Sequence, residues 1–296
     1  MHEPVTGVVA IDKPTGVSSR RVVDAVAAAL GTKSVGHAGT LDPLAAGVVV
    51  VCVGHATKLV DFLHELPKRY RGTFLLGRSS PSDDLETPVE EEAAPVRPTP
   101  AAVTAALAGF RGPILQRPCD YSAVHVDGKR AYRLARKGRT VDLAAKPVRI
   151  DRLEITRYDW PRLGLDIECS TGTFVRAIGR DLAAALGTRA VMESLVREAV
   201  GPFTREMALP LADVGPEAVR AALQPAVAAV PHLPRHVLEA GTLPHAVSGG
   251  LVDLGPDAAA AAAAVAACDV AGELVGILRR HDSGRHRLRP NFRGAG

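Results

Sequence analysis

The 296-residue sequence is poor in aromatic residues, which make up 4% of the chain and include one tryptophan. It contains no run of about 18 apolar residues, so no membrane-spanning helix is predicted. The first residues lack a basic segment followed by an apolar stretch, and we therefore expect no signal peptide and a cytoplasmic protein. The 36 basic and 32 acidic residues nearly balance, which is compatible with a nucleic-acid ligand but does not by itself indicate one.

Signals for metals and cofactors are missing as well. The cysteines are Cys52, Cys119, Cys169 and Cys268, and no Cys-x-x-Cys or Cys/His pattern joins them. This spacing predicts reduced thiols and no zinc site. No Gly-x-Gly-x-x-Gly follows the first predicted strand, and residues 31–34 lack the order of a nucleotide-binding loop. We therefore expect neither a metal nor a cofactor.

The hydrophobic fraction of 47% is enough for a packed core. Hydrophobic periodicity predicts strands at 7–12, 48–53, 70–76, 148–157 and 163–170, and helices at 19–30, 57–66, 101–110 and 174–186. Ser19 is the predicted N-cap of the first helix. Strands and helices follow each other without a steady βαβ rhythm, so we expect an α+β domain around a mixed or antiparallel sheet. Residues 210–234 predict a helical connector to a small C-terminal β module.

One segment differs in composition from the rest. Residues 81–100 contain five prolines and six acids, with almost nothing apolar to bury. Such a composition is typical of a mobile surface insertion, spanning about 79–100. We interpret its charges as a solvated face rather than as a metal site.

The most informative stretch is residues 36–47, which read Gly-His-Ala-Gly-Thr-Leu-Asp-Pro-Leu-Ala-Ala-Gly. It places the carboxylate of Asp42 in a tight turn, directly before an apolar run that predicts a strand buried on both faces. Pro43 restricts this turn, and the glycines allow close approach of a ligand. An isolated Asp-Pro would more simply be an aspartate that caps its own turn.

This stretch resembles the signature of the TruB family of tRNA pseudouridine synthases. Further blocks of that family follow in the same order: the Lys-Pro turn at Lys13, residues 68–70, residues 118–123 with 128–132, residues 170–176 and residues 195–197. The resemblance implies an isomerase that needs no cofactor and converts uridine 55 in the T-arm of tRNA into pseudouridine. It also implies a catalytic domain over 1–230 and a PUA-like RNA-binding domain over 231–296.

The resemblance also implies roles for single residues. Asp42 would be the nucleophile, Arg176 the partner that keeps this carboxylate charged, and Tyr70 the ring that stacks on a flipped-out uracil. The resemblance implies substrate binding by His37, Phe174, Leu195 and Lys13, and the basic run described next adds Lys129 and Arg133. Taken without the resemblance, Tyr70 could be a core aromatic, Arg176 a surface or phosphate-binding residue, and His37 an ordinary loop residue.

Residues 129–139 contain six basic side chains and no acid. A charge run is usually a solvated face, but a purely basic one predicts a track for RNA phosphates. Phe174 and His125 stand where the family commonly has tyrosine and lysine. The family's acidic Thr-Asp-Thr element appears as Ser79-Ser80-Pro81, and we assign no site residue there.

Two alternatives stay open at this stage. The chain could be a non-catalytic RNA-binding or tRNA-folding protein with the same fold, or a pseudouridine synthase for another RNA. Nothing in the sequence implies a protein partner, and we expect a monomer.

Overall fold

The computed structural model describes residues 5–122, 125–126, 129–135, 143–255 and 262–293. Within these ranges, the strands before the C-terminal module are β1 (Gly7–Lys13), β2 (Val35–His37), β3 (Ala45–Val53), β4 (Lys68–Leu76), β5 (Arg78–Ser79), β6 (Glu90–Glu91), β7 (Gly112–Gln116), β8 (His125–Val126), β9 (Lys129–Arg130), β10 (Lys146–Asp159), β11 (Arg162–Cys169), β12 (Ala190–Val200), β13 (Phe203–Thr204) and β14 (Leu209–Pro210). The module contributes β15 (Arg235–Val237), β16 (Leu251–Val252), β17 (Ala264–Cys268), β18 (Leu274–Arg280) and β19 (His286–Asn291). The helices are α1 (Ser19–Leu30), α2 (Val60–Glu65), α3 (Pro100–Ala106), α4 (Ala131–Ala135), α5 (Val175–Ala185), α6 (Pro216–Ala222) and α7 (Leu243–Val247).

In the described part of the chain, ten strands form one mixed sheet. Its order is β14-β1-β3-β12-β4-β11-β10-β7, with β2 paired to β3 and β13 paired to β12. The β1–β14 and β3–β12 pairs are parallel, whereas β1–β3 and β4–β12 are antiparallel. The predicted α+β class with a mixed sheet is therefore confirmed. A separate five-stranded sheet, β15-β17-β18-β19-β16, confirms the C-terminal β module, and its likeness to PUA domains stays a prediction.

Strand β3 lies at the centre of the core. All six residues from Val48 to Val53 are 0% exposed, as a strand buried on both faces requires. Val49 and Val51 pack in the cluster that contains residues of α1 and α5. Val48 and Val50 point to the opposite face and pack in the cluster that contains residues of α2. Since the loop that carries Asp42 leads directly into β3, this loop is attached to a fully buried strand.

The second of these clusters also contains residues of the C-terminal sheet. Ala266 and Ile277 are fully buried in it together with Leu63. The guanidinium carbon of Arg279 lies 5.2 Å from the centre of the Phe62 ring, as in a cation–π contact. The C-terminal module and the large sheet thus share a continuous apolar core, and the domain boundary at residue 230 stays a prediction.

Two local expectations are wrong. Ser18, rather than Ser19, caps α1, because the Ser18 side chain accepts a hydrogen bond from the Arg21 backbone. The charges of residues 81–100 do not all form a solvated face either. Asp84 is 2% exposed, because the segment passes over β12 and Asp84 forms a bridge with Met192.

No helix among the described residues is long and apolar enough to cross a membrane. The same residues contain no cluster of histidine, cysteine or carboxylate side chains that could hold a metal ion.

Candidate active site

The loop that carries Asp42 is held from both sides by hydrogen bonds to the first turn of α1 and the turn before it. The Ser19 hydroxyl donates to the Leu41 carbonyl at 3.0 Å and accepts from the Leu41 N–H at 2.8 Å. The Gly16 N–H donates to the Pro43 carbonyl at 2.7 Å. These bonds fix the backbone on either side of Asp42, whose side chain remains 43% exposed. A carboxylate on a fixed backbone with an open side can meet a substrate without a change of the loop.

A buried arginine on β12 holds the same loop through hydrogen bonds to backbone carbonyls. Arg197 on β12 is 1% exposed and donates to the carbonyls of Val48 at 2.7 Å, Gly39 at 3.1 Å and Thr40 at 3.4 Å. Gly47 allows β3 to approach β12 this closely, because a Cβ at Gly47 would lie 2.2 Å from the Arg197 carbonyl oxygen. Three carbonyl partners satisfy most of the donors of this buried cation.

Arg176, in the first turn of α5, links two carboxylates. Its Nη2 lies 3.0 Å from Oδ2 of Asp42, and its Nη1 lies 3.1 Å from Oδ2 of Asp84. It also donates to the carbonyls of Ser82 at 2.8 Å and Tyr121 at 2.9 Å. Burial opposes the charge of this side chain, but the neighbouring carboxylates, that of Asp42 above all, raise the pKa of Arg176. The guanidinium therefore stays charged beside Asp42.

Asp84 is itself held in place. Its Oδ1 accepts from the Ser82 hydroxyl at 2.6 Å and from the Glu86 N–H at 2.9 Å. The neighbouring Asp83 adopts a left-handed backbone with φ of 60° and pairs with Arg180 at 3.0 Å. The start of the acidic segment thus binds two consecutive turns of α5.

Tyr70 lies on β4 next to the buried arginine. It is opposite Arg197 on β12 and opposite Ile167 on β11, and its half-buried ring packs against the main core. Burial raises the pKa of Tyr70, and the nearby Arg197 guanidinium opposes this shift. The phenol is therefore protonated at neutral pH, with a cation beside it that would stabilise the phenolate.

Three further predicted residues lie around this group. His37 is half-buried at the end of β2, and no described residue hydrogen-bonds its Nδ1. Burial, with the charge of Arg197, lowers the pKa of His37, so the ring is neutral at pH 7. Phe174 is half-buried directly before α5, two residues from Arg176. Leu195 on β12 is 7% exposed and belongs to the main core, which fits both a core residue and a wall of a base pocket.

Lys13, the fourth predicted substrate contact in this region, is fully buried. It is 0% exposed, and its Nζ donates to the carbonyls of Pro14 at 3.0 Å and Val17 at 2.7 Å, and also to that of Ala45. Burial and the charge of Arg197 lower the pKa of Lys13 to about 8, while Asp42 opposes the shift. Lys13 thus connects the turn after β1 to the start of β3, and its contact with substrate stays a prediction.

Comparison with known proteins identifies the family. The model of the TruB family pseudouridylate synthase N-terminal domain matches residues 28–175. The tRNA pseudouridine synthase B of Mycobacterium tuberculosis (strain ATCC 25618 / H37Rv) is 39% identical over 284 residues, which cover 94% of this chain and 93% of that protein. This chain belongs to the TruB family. The resemblance seen in the motifs is confirmed, and the chain is a pseudouridine synthase, which is an isomerase.

Other relatives agree with the assignment to the TruB family. The tRNA pseudouridine synthase B of Gluconacetobacter diazotrophicus is 38% identical over 291 residues, which cover 94% of this chain and 95% of that protein. A chain in the crystal structure of a Cbf5-Nop10-Gar1 complex superposes with a TM-score of 0.74 at 22% identity, over 97% of this chain and 85% of that one. A chain in an H/ACA RNP bound to a substrate RNA gives a TM-score of 0.72 at 21% identity, over 97% of this chain and 84% of that one. At such identities the two structures show a shared fold.

Two predicted substrate contacts of this TruB family member stay predictions. Lys129 lies in β9 and Arg133 in α4, but their side chains are outside the described part of the structure. The Tyr132 N–H donates to the Ser122 carbonyl at 2.9 Å, which joins the start of α4 to the residues beside Arg176. The remainder of the predicted basic run, residues 136–139, lies outside the described ranges.

The structure adds three residues that sequence reasoning did not assign to the site: Asp84, Arg197 and Gln116. Arg197 stands in a recognised block, so its motif was a signal that could have found it. Asp84 comes shortly after residues 79–81, where the family's acidic element was not found. The two carboxylates that follow Ser82 were the signal there. Gln116 has no signal in the sequence, because its role depends on a contact with Phe174 across the fold.

Proposed function

We propose that this TruB family member converts uridine 55 in the T-arm of tRNA into pseudouridine, with Asp42 as the nucleophile. The reaction breaks the bond between N1 of uracil and C1′ of ribose, and joins C5 to C1′ in its place. N1 gains a proton and C5 loses one, so the product has the same atoms as the substrate. The protein must therefore supply a nucleophile, a group that keeps it ionised and a group that moves a proton.

The pairing of Asp42 with Arg176 carries this proposal. The carboxylate is 43% exposed, whereas the guanidinium 3.0 Å away is 6% exposed. A buried cation at this distance attracts the carboxylate and fixes its orientation. The ion pair uses Oδ2, and we propose Oδ1, the other oxygen of this exposed side chain, as the attacking atom. Whether this oxygen attacks C6 of uracil or C1′ of ribose, the same arrangement serves.

Tyr70 and Arg197 fit the proton transfer. The half-buried ring of Tyr70 offers a face for an extruded uracil, and its raised pKa keeps the hydroxyl protonated until a base or substrate approaches. If the phenol gives its own proton to N1 and the phenolate then takes the C5 proton, the protons balance and the Arg197 charge stabilises the anionic form. In this role Tyr70 both stacks on the base and moves the proton.

The choice of substrate is supported by the relatives and by the site. The relatives reported above are tRNA pseudouridine synthases, which supports tRNA as the substrate. A uridine within a folded arm must leave its stack before Asp42 can reach it. His37, whose lowered pKa leaves it neutral, suits the space vacated by the base, because a neutral ring can stack without burying a charge.

Tritium release from transcripts labelled at C5 of uridine tests the proposal. We expect release from whole tRNA and from an isolated T-arm hairpin, and none from tRNA whose uridine 55 is replaced by cytidine. Release from the cytidine-substituted tRNA would point to another uridine of the tRNA. Tight binding of tRNA with no release from any transcript would favour the RNA-binding alternative.

Asp42→Asn tests the nucleophile directly. The amide is nearly isosteric but cannot act as an anionic nucleophile, so we expect no detectable single-turnover product and a tRNA affinity within a few-fold of wild type. Asp61→Asn is a matched control, because its side chain is 94% exposed on α2. Activity of the Asp42 variant close to that of the control would overturn the assignment of the nucleophile.

A further inference from the structure

Gln116, the last residue of β7, pairs with the start of α5 through its side chain. It is 2% exposed. Its Oε1 accepts from the Phe174 N–H at 2.8 Å, and its Nε2 donates to the Phe174 carbonyl at 3.2 Å. Phe174 is the N-cap position of α5, where its own side chain provides no capping bond. The amide of Gln116 thus pairs with both backbone polar groups of Phe174, as a neighbouring strand pairs with a strand residue.

The residues that follow Gln116 continue along the same helix. The Arg117 carbonyl accepts from Nη2 of Arg180 at 2.7 Å, and the Tyr121 carbonyl accepts from Nη2 of Arg176 at 2.9 Å. Segment 116–121 is therefore bound to the start and the first two turns of α5 at three positions, and Gln116 is its attachment nearest the helix start. This attachment lies two residues before Arg176, which must reach Asp42 and Asp84 together.

We propose that Gln116 is a positioning residue, whose amide fixes the first turn of α5 so that Arg176 meets Asp42 and the Phe174 ring stays beside the substrate. The inference rests on the roles proposed above for Asp42 and Arg176. The side-chain amide has both a donor and an acceptor, so it can bind the N–H and the carbonyl of one residue. An ionised carboxylate can only accept, and an apolar side chain does neither. Without both bonds, the helix start can shift relative to the Asp42 loop.

Gln116→Met removes both bonds at nearly constant volume. We expect the single-turnover rate at saturating tRNA to fall by roughly ten-fold or more, because small displacements of catalytic groups are costly. The dissociation constant for tRNA should stay within about two-fold, since a buried side chain makes no contact with RNA. Gln224→Met is the matched control, because the structure shows only backbone hydrogen bonds for Gln224, to Val8. A Gln116→Met rate equal to that of the control would overturn the proposal.

Gln116→Glu supplies a readout that a purely structural role would not affect. The protonated carboxyl group can again donate and accept, whereas the ionised form can only accept, and burial favours the protonated form. We expect the rate of this variant, relative to wild type, to rise as the pH is lowered from about 8 to about 6. The same ratio for Gln116→Met should be independent of pH. The inference would be overturned if the rates relative to wild type were equal for both variants and independent of pH. Absence of turnover in the wild type would overturn the proposed function instead.

Discussion

Replacing Asp84 with asparagine tests whether Arg176 needs its second carboxylate. Oδ1 of Asp84 already accepts from the Ser82 hydroxyl and the Glu86 N–H, so the amide oxygen of the variant would take this position. The amide NH2 would then face Nη1 of Arg176, which lies 3.1 Å from Oδ2 of Asp84 in the wild type. Two donors would meet there, and Arg176 would lose both a charge and an acceptor.

The size of the effect follows from the burial of the pair. Asp84 and Arg176 have side-chain exposures of 2% and 6%, so solvent screens their attraction only weakly. Removal of one partner from a buried pair costs about 3–5 kcal/mol, and a hydrogen bond to a charged group contributes about 1.5–3 kcal/mol. Because Arg176 keeps Asp42 and two carbonyls, we expect the lower range, a loss of about 1.5–3 kcal/mol in the free energy of unfolding. A displaced guanidinium should also lower the single-turnover rate by roughly 10- to 100-fold.

Urea denaturation and single-turnover kinetics measure the two effects separately. Asp83→Asn is a close control, since this neighbouring carboxylate pairs with Arg180 instead of Arg176. We expect the control to be less stable than wild type but to keep most of its turnover rate. The tRNA affinity should be unchanged in both variants. If Asp84→Asn turned over at the wild-type rate, or if both variants lost rate equally, the assignment of Asp84 to the site would be refuted.

Three further predictions concern the frame of the site and its RNA contacts. Gly47→Ala should destabilise the protein by at least about 2 kcal/mol, because backbone strain and a steric clash of the new Cβ both disfavour alanine. Gly47 has a φ of +106°, and its Cβ would lie 2.2 Å from a backbone oxygen, whereas Gly16 has a φ of +81° and open space around it. In urea denaturation, Gly16→Ala should therefore lose less stability than Gly47→Ala. The pKa of Lys13 falls from 10.5 to about 8 on folding, so the unfolded chain binds more protons between these values. The stability of the wild type relative to Lys13→Met should therefore rise with pH across this window, and a flat difference in urea titrations would contradict the shift. Charge reversal at Arg133 and Lys137 should weaken tRNA binding and reduce its salt dependence, whereas an unchanged salt slope would show a solvated face.

Much of the molecule follows from local sequence. The valine run of β3 predicts a fully buried strand, and the apolar periodicity up to Leu30 predicts α1 with its N-cap misplaced by one residue. The turn at Asp42 is specified by its own neighbours, since Pro43 and the flanking glycines restrict the backbone. These features depend on contacts between residues close in the chain, which a linear pattern records. The same patterns carried the resemblance to the TruB family.

What the local patterns could not supply is the set of partners that meet across the fold. The order of the sheet places β12 between β3 and β4, and this brings Arg197 beneath the Asp42 loop and beside Tyr70. The acidic segment was expected to be solvated from its composition, yet Asp84 is buried against Arg176. Only the tertiary structure decided these contacts, because a buried charge is stable only beside its partners and those partners come from distant parts of the chain. The sequence by itself therefore determined the elements, the motif and the candidate nucleophile, whereas the packing of α5 and the sheet decided which side chains hold that nucleophile in place.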